Sequence, residues 1–225
     1  MANTTHESLA AKAAAYLRDS AKAVDGFCGI QSEIDRQAEC LLQWAREHRA
    51  LLTDLYTEGL EKYNRDTMEH AVFFGSPDRR VIKCTKPGRF GLGHGPKGYY
   101  HRHPAATPLF YLQRLELMNQ NFLTDLRMEG LALGRHEFGN EGELRPYVIT
   151  SQRYVEIADE DNPHPTEREV EDFMLALRFN LIPGSCFNWF RESDGLIVTD
   201  TKQPNFIISH EGIVPIDLII SKELR

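Results

Sequence analysis

The chain of 225 residues has few cysteines, no long apolar run and no excess of positive charge. Its four cysteines form no C-x-x-C pair, which disfavours both a disulfide scaffold and a zinc site. No apolar run approaches the roughly 18–20 residues of a membrane span, and the start of the sequence shows no secretory signal. Lysine plus arginine number 26 against 33 aspartates plus glutamates, a formal charge of −7, which argues against a nucleic-acid partner. We therefore expect a cytoplasmic protein with neither a membrane nor a nucleic-acid partner.

Residues 1–63 carry apolar side chains at helical spacing in two runs. The first run begins at Leu9. The second begins near Ser32 and continues towards Leu55, before Gly59 ends the pattern. This predicts an N-terminal helical hairpin, an accessory segment that either packs on the rest of the chain or holds a partner.

From about residue 64 the sequence changes to short β-type runs separated by turn residues. Helices are predicted after Thr107-Pro108, which suits an N-cap and first helical position, and after Thr166, where Glu169 completes a capping box. The whole pattern predicts an α+β fold. The predicted strands cover 71–74, 80–84, 131–138, 144–150, 187–190, 196–199, 206–209 and 213–216.

The segment from 195 to 220 is the one that points most clearly to chemistry. Asp200 and Asn205 stand in a D-x-x-x-x-N pattern between two apolar strands, and Lys202 lies two residues after the aspartate. Asp217 ends the next predicted strand, so short β-hairpins would bring these side chains to a common edge. Phosphoryl transfer uses such a set, with Asp200 orienting the attacking hydroxyl and Lys202 neutralising the phosphoryl group. Asn205 and Asp217 would then hold Mg²⁺ through oxygen atoms.

A lysine upstream fits the same chemistry. Lys83 lies on the apolar strand Arg80-Val-Ile-Lys83, as in strands whose lysine contacts nucleotide phosphates. The helix after Thr107 can present a carboxylate to this lysine, and Glu116 is a better candidate than Glu129, which is near the predicted helix end. The order lysine, glutamate, D-x-x-x-x-N, aspartate is that of a protein kinase.

These segments resemble the polyvalent protein kinase domain, a minimal kinase-like family of bacterial, phage and other mobile-element proteins. The resemblance rests on RVIKCTKPGRFG at 80–91, on YVITSQ at 147–152 and above all on GLIVTDTKQPNFIISHEGIVPIDLII at 195–220, with coverage from about residue 60. It implies a minimal two-lobed kinase-like fold, with a β-rich lobe at 64–150 and a reduced lobe at 151–225. It also implies ATP and Mg²⁺ as cofactors, with Lys83 on the phosphates and Asp200 as catalytic aspartate.

The resemblance further implies a hinge whose backbone meets the adenine edge of ATP. We expect this hinge near Ser151–Tyr154, with Thr150, Ser151 and Gln152 as the residues that bind the cofactor. The substrate implied is an unidentified hydroxyl group, with a protein serine, threonine or tyrosine as the first candidate.

The sequence departs from ordinary kinases at three points. No glycine-rich loop precedes Lys83, the H-R dipeptide before the catalytic aspartate is replaced by Val198-Thr199, and eight residues follow Asp217. Two alternatives therefore stay open. One is a small-molecule kinase or nucleotidyl transferase on the same fold, and the other is a non-catalytic pseudokinase that serves as a binding module.

A glycine- and histidine-rich segment offers two competing motifs. Gly93–Gly98 matches G-x-G-x-x-G, but Pro96 argues against the helix that a dinucleotide fingerprint requires. His94, His101 and His103 lack a cysteine or carboxylate at ligand spacing, which disfavours a transition-metal site. We expect a surface loop.

Overall fold

The computed structural model describes residues 7–21, 29–63, 68–94, 104–135 and 143–222. Within these ranges the chain mixes α-helices with antiparallel sheets, as expected for an α+β fold. The helices are α1 (Leu9–Ala21), α2 (Ile30–Glu47), α3 (Pro108–Phe122) and α4 (Glu167–Ala176). The strands are β1 (Glu61–Lys62), β2 (His70–Phe74), β3 (Arg80–Thr85), β4 (Leu126–Arg135), β5 (Leu144–Arg153), β6 (Asn180–Leu181), β7 (Trp189–Arg191), β8 (Leu196–Thr199), β9 (Phe206–Ser209), β10 (Gly212–Pro215) and β11 (Ile219–Lys222).

The chain divides into two compact units. The first comprises residues 1–92, 105–116 and 125–153, and the second comprises 93–104, 117–124 and 154–225. Helix α3 therefore begins in the first unit and ends in the second. The expected division into segments 1–63, 64–150 and 151–225 stays a prediction.

The first unit contains a five-stranded antiparallel sheet in the order β1-β2-β3-β5-β4. Its register places Lys83 of β3 opposite Val72 of β2 on one side and opposite Thr150 of β5 on the other. Side chains alternate between the two faces of a strand, so neighbours in sequence point to opposite faces. One face is covered by an apolar cluster formed by Ile82, Cys84, Ala132 and Ile149, with Leu52, Leu60, Ala71, Phe73 and Tyr147 around it.

Helices α1 and α2 pack on each other and on β4. The expectation that the second helix continues towards Leu55 is wrong, because α2 ends at Glu47. Arg49 takes a left-handed φ of 57°, and the chain then joins β4, where Leu131 N donates to Ala50 O at 2.8 Å. This bond to a distant strand ends the helix although the apolar spacing continues. Among the described helices, none is long and apolar enough to cross a membrane.

The second unit contains α4, a four-stranded sheet in the order β11-β8-β7-β6 and the hairpin of β9 and β10. The capping box predicted at Thr166 and Glu169 is confirmed, since each side chain bonds the other residue's backbone N–H. Phe173 on α4 packs edge-on against Phe206 of β9, with ring centres 5.9 Å apart. The strands β6 and β11 were not expected from the sequence.

Candidate active site

Two antiparallel ladders end at the same place in the second unit. The last residue of β8 lies opposite the first of β11, and the first of β9 lies opposite the last of β10. Just beyond the second ladder, Ile216 N donates to Asn205 O at 2.8 Å. Asp200 directly follows β8, Asn205 directly precedes β9, and Asp217 adjoins Ile216. Register alone therefore brings the three predicted residues to a common end of the strands.

Asp200 and Asn205 form a two-point contact. Asn205 Nδ2 donates to Asp200 O at 2.7 Å and to Asp200 Oδ2 at 2.9 Å. Both acceptors lack protons, so the NH₂ group of Asn205 must face them and its Oδ1 faces elsewhere. Asp200 has a left-handed φ of 59°, which aspartate tolerates better than most residues. The five-residue spacing of the motif thus produces a closed loop with a fixed carboxylate.

The other carboxylate oxygen of Asp200 has a different environment. Its Oδ1 is shielded from solvent and makes no hydrogen bond with the described residues. Lys202 Nζ lies 2.8 Å from it, so the contact is one of charge without hydrogen-bond alignment. The Lys202 side chain is 57% exposed, which leaves its ammonium able to face a bound anion as well.

The surrounding loop is fastened to the four-stranded sheet. Trp189 Nε1 donates to Thr201 Oγ1 at 2.9 Å, and Thr201 Oγ1 donates in turn to Phe187 O at 3.1 Å. Trp189 and Thr201 are both buried. The residue between Asp200 and Lys202 therefore anchors both of them.

The oxygen atoms at this place suit a hard divalent cation. Asn205 Oδ1 points away from Asp200, and Asp217 directly follows Ile216, whose backbone N–H bonds Asn205 O. Mg²⁺ binds carboxylate and other oxygen ligands rather than nitrogen or sulfur. The residue types thus suit the predicted metal, and its binding by Asn205 and Asp217 stays a prediction.

Lys83 lies in the first unit, on the sheet face opposite the apolar cluster. Its Nζ donates to Gln152 Oε1 at 3.0 Å, and its carbonyl accepts a bond from Thr150 Oγ1 at 3.1 Å. Gln152 and Thr150 are two residues apart on β5, so both point to the face that Lys83 shares. Since Asp217 belongs to the second unit, the convergence of Lys83 and Asp217 stays a prediction.

Ser151, predicted with Thr150 and Gln152 to bind the cofactor, points to the other face. Arg80 Nε donates to Ser151 Oγ at 2.6 Å, and Ser151 donates to Glu129. Arg80 also contacts Asp125 at 2.6 Å. Burial alone would raise the pKa of Asp125, but hydrogen bonds from arginines hold it below its ordinary value. Burial, together with the charge of Glu129, raises the pKa of Tyr56 to about 12.

The backbone of residues 150–152 is also occupied. Strand β5 lies between β3 and β4, and residues 150–152 are in register with both neighbours. Backbone groups committed to two ladders cannot also meet the edge of an adenine ring. Strand β5 ends at Arg153. The expected contact at 150–152 therefore conflicts with this geometry, whereas a contact at Tyr154, the last residue of the expected hinge, stays a prediction.

Glu116, the carboxylate predicted to face Lys83, has another partner. Ser8 caps the first turn of α1, accepting a bond from Ala11 N at 3.0 Å, and its hydroxyl donates to Glu116. Among the described contacts, Glu116 has no ion pair with Lys83. Glu116 is thus held by the residue that caps α1, a partner that helical periodicity could not show.

The charged residue of α3 that does reach the sheet is Arg114. Its guanidinium contacts both carboxylate oxygens of Glu69, at 2.8 and 3.1 Å from Nη1. The exposed fractions of these two side chains are 4% and 10%. Sequence reasoning missed this pair. The available signal was an arginine between Tyr111 and Leu115, on the apolar side of a predicted helix.

The glycine- and histidine-rich segment is described only in part. His94 Nδ1 and Ser221 Oγ lie 2.7 Å apart, and His94 Nε2 lies 3.1 Å from Ile219 O. His101, His103 and the rest of the Gly93–Gly98 motif after His94 lie outside the described residues. The interpretation of this segment as a surface loop stays a prediction.

Comparison with known proteins gives one finding about the family. A search of curated proteins finds no match, and a search of solved structures finds none. The family model described as a serine/threonine/tyrosine kinase found in polyvalent proteins matches residues 34–223. The match begins within α2, so it includes most of a helix that the sequence resemblance left outside. Because it spans most of the chain, this protein belongs to the family of serine/threonine/tyrosine kinases found in polyvalent proteins.

Proposed function

We propose that the chain is an Mg²⁺- and ATP-dependent phosphotransferase that acts on a serine, threonine or tyrosine hydroxyl of a protein. The observation that carries this proposal is the closed Asp200–Asn205 contact, with Lys202 and Asp217 at the same strand ends. Membership in a family named for kinases supports it. In this assignment the first unit serves as the nucleotide-binding lobe and the second as a reduced catalytic lobe of a kinase-like fold.

The residues of the second unit divide the reaction between them. The substrate hydroxyl oxygen attacks the γ-phosphorus, the bond from that phosphorus to the bridging oxygen breaks, and ADP leaves with the electron pair. Asp200 orients the hydroxyl and accepts its proton through a carboxylate whose position Asn205 holds. Lys202 balances charge on the transferred group. Mg²⁺, when held by Asn205 and Asp217, supplies charge neutralisation on the phosphate oxygens.

The first unit would hold the nucleotide. Lys83 binds the α- and β-phosphates, and Gln152 and Thr150 fix it from the same sheet face. We assign the adenine contact to backbone that follows Arg153, because residues 150–152 are committed to the sheet. Glu116 has no role in this assignment, since Ser8 holds it on the side of α1.

Phosphate transfer from ATP labelled on the γ-phosphate tests the proposal. The full chain is incubated with Mg·ATP and a protein substrate mixture, and label in protein and ADP release are measured. Asparagine tolerates the left-handed backbone at position 200, so Asp200→Asn should fold. Both Asp200→Asn and Asp217→Asn should lower the rate of phosphate transfer by about 10²- to 10⁴-fold. Asp172→Asn, an exposed aspartate on α4, is the matched control and should keep full rate. Undiminished transfer by Asp217→Asn would overturn the assignment.

Two further measurements separate the alternatives. ATP labelled on the α-phosphate should leave label in ATP and ADP alone, and label in protein or in another small molecule would favour a nucleotidyl transferase. Mg·ATP at about 100 times its dissociation constant should stabilise the fold by roughly 2.7 kcal/mol. A chain that transfers no phosphate while still gaining this stability would be a pseudokinase.

A further inference from the structure

A buried ion pair joins helix α3 to the start of β2. Arg114 and Glu69 share three charge-assisted contacts, at 2.8 and 3.1 Å from Nη1 and at 3.2 Å from Nη2, and each side chain is at most 10% exposed. Removing two charges from water is costly, so such a pair needs close geometry to be tolerated. A paired guanidinium also fixes direction, because its planar fork matches a carboxylate in one orientation.

Glu69 binds more than the helix. Its carboxylate also accepts a bond from Leu92 N, in the segment that follows β3. Gly91 makes room for this contact, because a Cβ there would lie 2.8 Å from Glu69 Oε1 and its φ is 77°. One carboxylate therefore joins three parts of the first unit: α3, the start of β2 and the chain after β3.

A second contact repeats the attachment one residue further on. His70 Nε2 and Tyr111 Oη lie 3.0 Å apart, and both side chains are buried. Tyr111 and Arg114 are three residues apart, so they lie on one face of α3. Glu69, which directly precedes β2, and His70, its first residue, are thus held by one face of one helix.

This attachment reaches Lys83 through the sheet register. His70 lies opposite Thr85, and Val72 lies opposite Lys83, two residues along the same ladder. A shift of β2 relative to α3 therefore moves the strand that carries Lys83. We propose that Glu69 and Arg114 are positioning residues for Lys83, in place of a lysine–glutamate pair between β3 and the helix. Their effect on phosphate transfer rests on the function proposed above.

Acetylation of Lys83 tests this positioning without any need for activity. The full chain is treated briefly with an amine-acetylating reagent, and the acetylated fraction of each lysine is read by peptide mass spectrometry, with exposed Lys222 as reference. Glu69→Gln removes the charge but keeps an acceptor for Leu92 N, and Lys83 should be acetylated several-fold faster in it than in the parent. The control Glu33→Gln breaks an ion pair with Arg36 on α2 and should leave Lys83 unchanged.

A double variant distinguishes positioning from stability. Glu69→Gln combined with Arg114→Met removes both charges, so no buried charge lacks a partner and the fold should melt near the parent temperature. We expect Lys83 acetylation to stay fast in this variant and kcat to fall by about 10- to 100-fold, since small misplacements cost that much. Arg114→Lys keeps the positive charge but loses the planar guanidinium. Its Lys83 acetylation rate and its kcat should both lie between those of the parent and those of the double variant.

The outcomes separate the two proposals. Parental Lys83 acetylation in a folded Glu69→Gln or double variant overturns the positioning role, even if the chain is an active kinase. If the parent chain transfers no phosphate, the proposed function fails, and the acetylation rates still decide whether Glu69 and Arg114 position Lys83. Return of both acetylation and kcat to parental values in the double variant would mean that the pair contributes stability alone.

Discussion

Replacing Asn205 by alanine should loosen the Asp200 loop by an amount that the two hydrogen bonds predict. One bond goes to a neutral carbonyl at 2.7 Å and the other to a carboxylate at 2.9 Å. The net contribution to stability is about 0.5–1.5 kcal/mol for a hydrogen bond between neutral groups and about 1.5–3 kcal/mol for one to a charged group. The Asp200 side chain is 25% exposed, so water can replace part of what is lost. We therefore expect Asn205→Ala to cost about 2 kcal/mol, near the lower end of the summed range.

Hydrogen exchange measures this loss locally, without assuming that the two units unfold together. A fall of about 2 kcal/mol in opening free energy makes exchange about 30-fold faster in peptides that cover 196–206. Asn162→Ala is the matched control, because it removes a single exposed bond from Asn162 Nδ2 to Asp159 Oδ2 at 3.0 Å. Its effect should stay within about 0.5 kcal/mol.

An aspartate at the same position sharpens the experiment. Asn205→Asp removes the two donated bonds and places a carboxylate beside that of Asp200. At neutral pH it should therefore lower the free energy of local opening by more than Asn205→Ala does. Protonation of the introduced carboxyl restores a donor and removes the repulsion, so the loss should shrink as the pH falls towards 4. If residues 196–206 exchange no faster in Asn205→Ala than in Asn162→Ala, the two hydrogen bonds of Asn205 do not hold the Asp200 loop and the prediction is refuted.

Three further predictions concern stability and reactivity. Burial raises the pKa of Cys84 to about 12, so an alkylating reagent at pH 8 should modify exposed Cys186 readily and Cys84 only after unfolding, as peptide mapping would show. Thr166→Ala removes the cap of α4 and should cost about 1 kcal/mol, or about 2–4 °C in thermal midpoint. Gly130→Ala places a Cβ against Ala50 O, so the free energy of unfolding measured in urea should fall by about 1–3 kcal/mol or more.

The parts of the fold that depend on neighbouring residues could be predicted from the sequence. The capping box at Thr166 needs only four consecutive residues, and the hairpin of β2 and β3 needs two apolar runs and a turn. The contact of Asp200 with Asn205 closes within five residues. In each case the chemistry and the geometry lie in one short segment, so the spacing is informative.

Features set by distant strands were missed. Helix α2 stops at Glu47 because the chain bonds to β4 about eighty residues later, and β11 exists because its residues pair with β8. Ser151 was predicted at the cofactor through the hinge backbone, and the register of β3 with β5 puts its side chain on the face opposite that of Lys83. A one-residue difference in register reverses the face of every side chain, and no local pattern fixes that register.

The partner of Lys83 shows the same limit with a chemical consequence. The spacing of apolar residues identified α3, and the prediction chose Glu116 as the residue that faces Lys83. In the structure Glu116 instead contacts Ser8, just before α1. With arginine on the sheet side, the acidic partner must come from the strand, and Glu69 provides it. The attachment between helix and sheet then becomes independent of Lys83, whose ammonium meets the amide oxygen of Gln152. The Gln152 amide is neutral, so this one contact does not by itself cancel the charge that Lys83 would offer a phosphate.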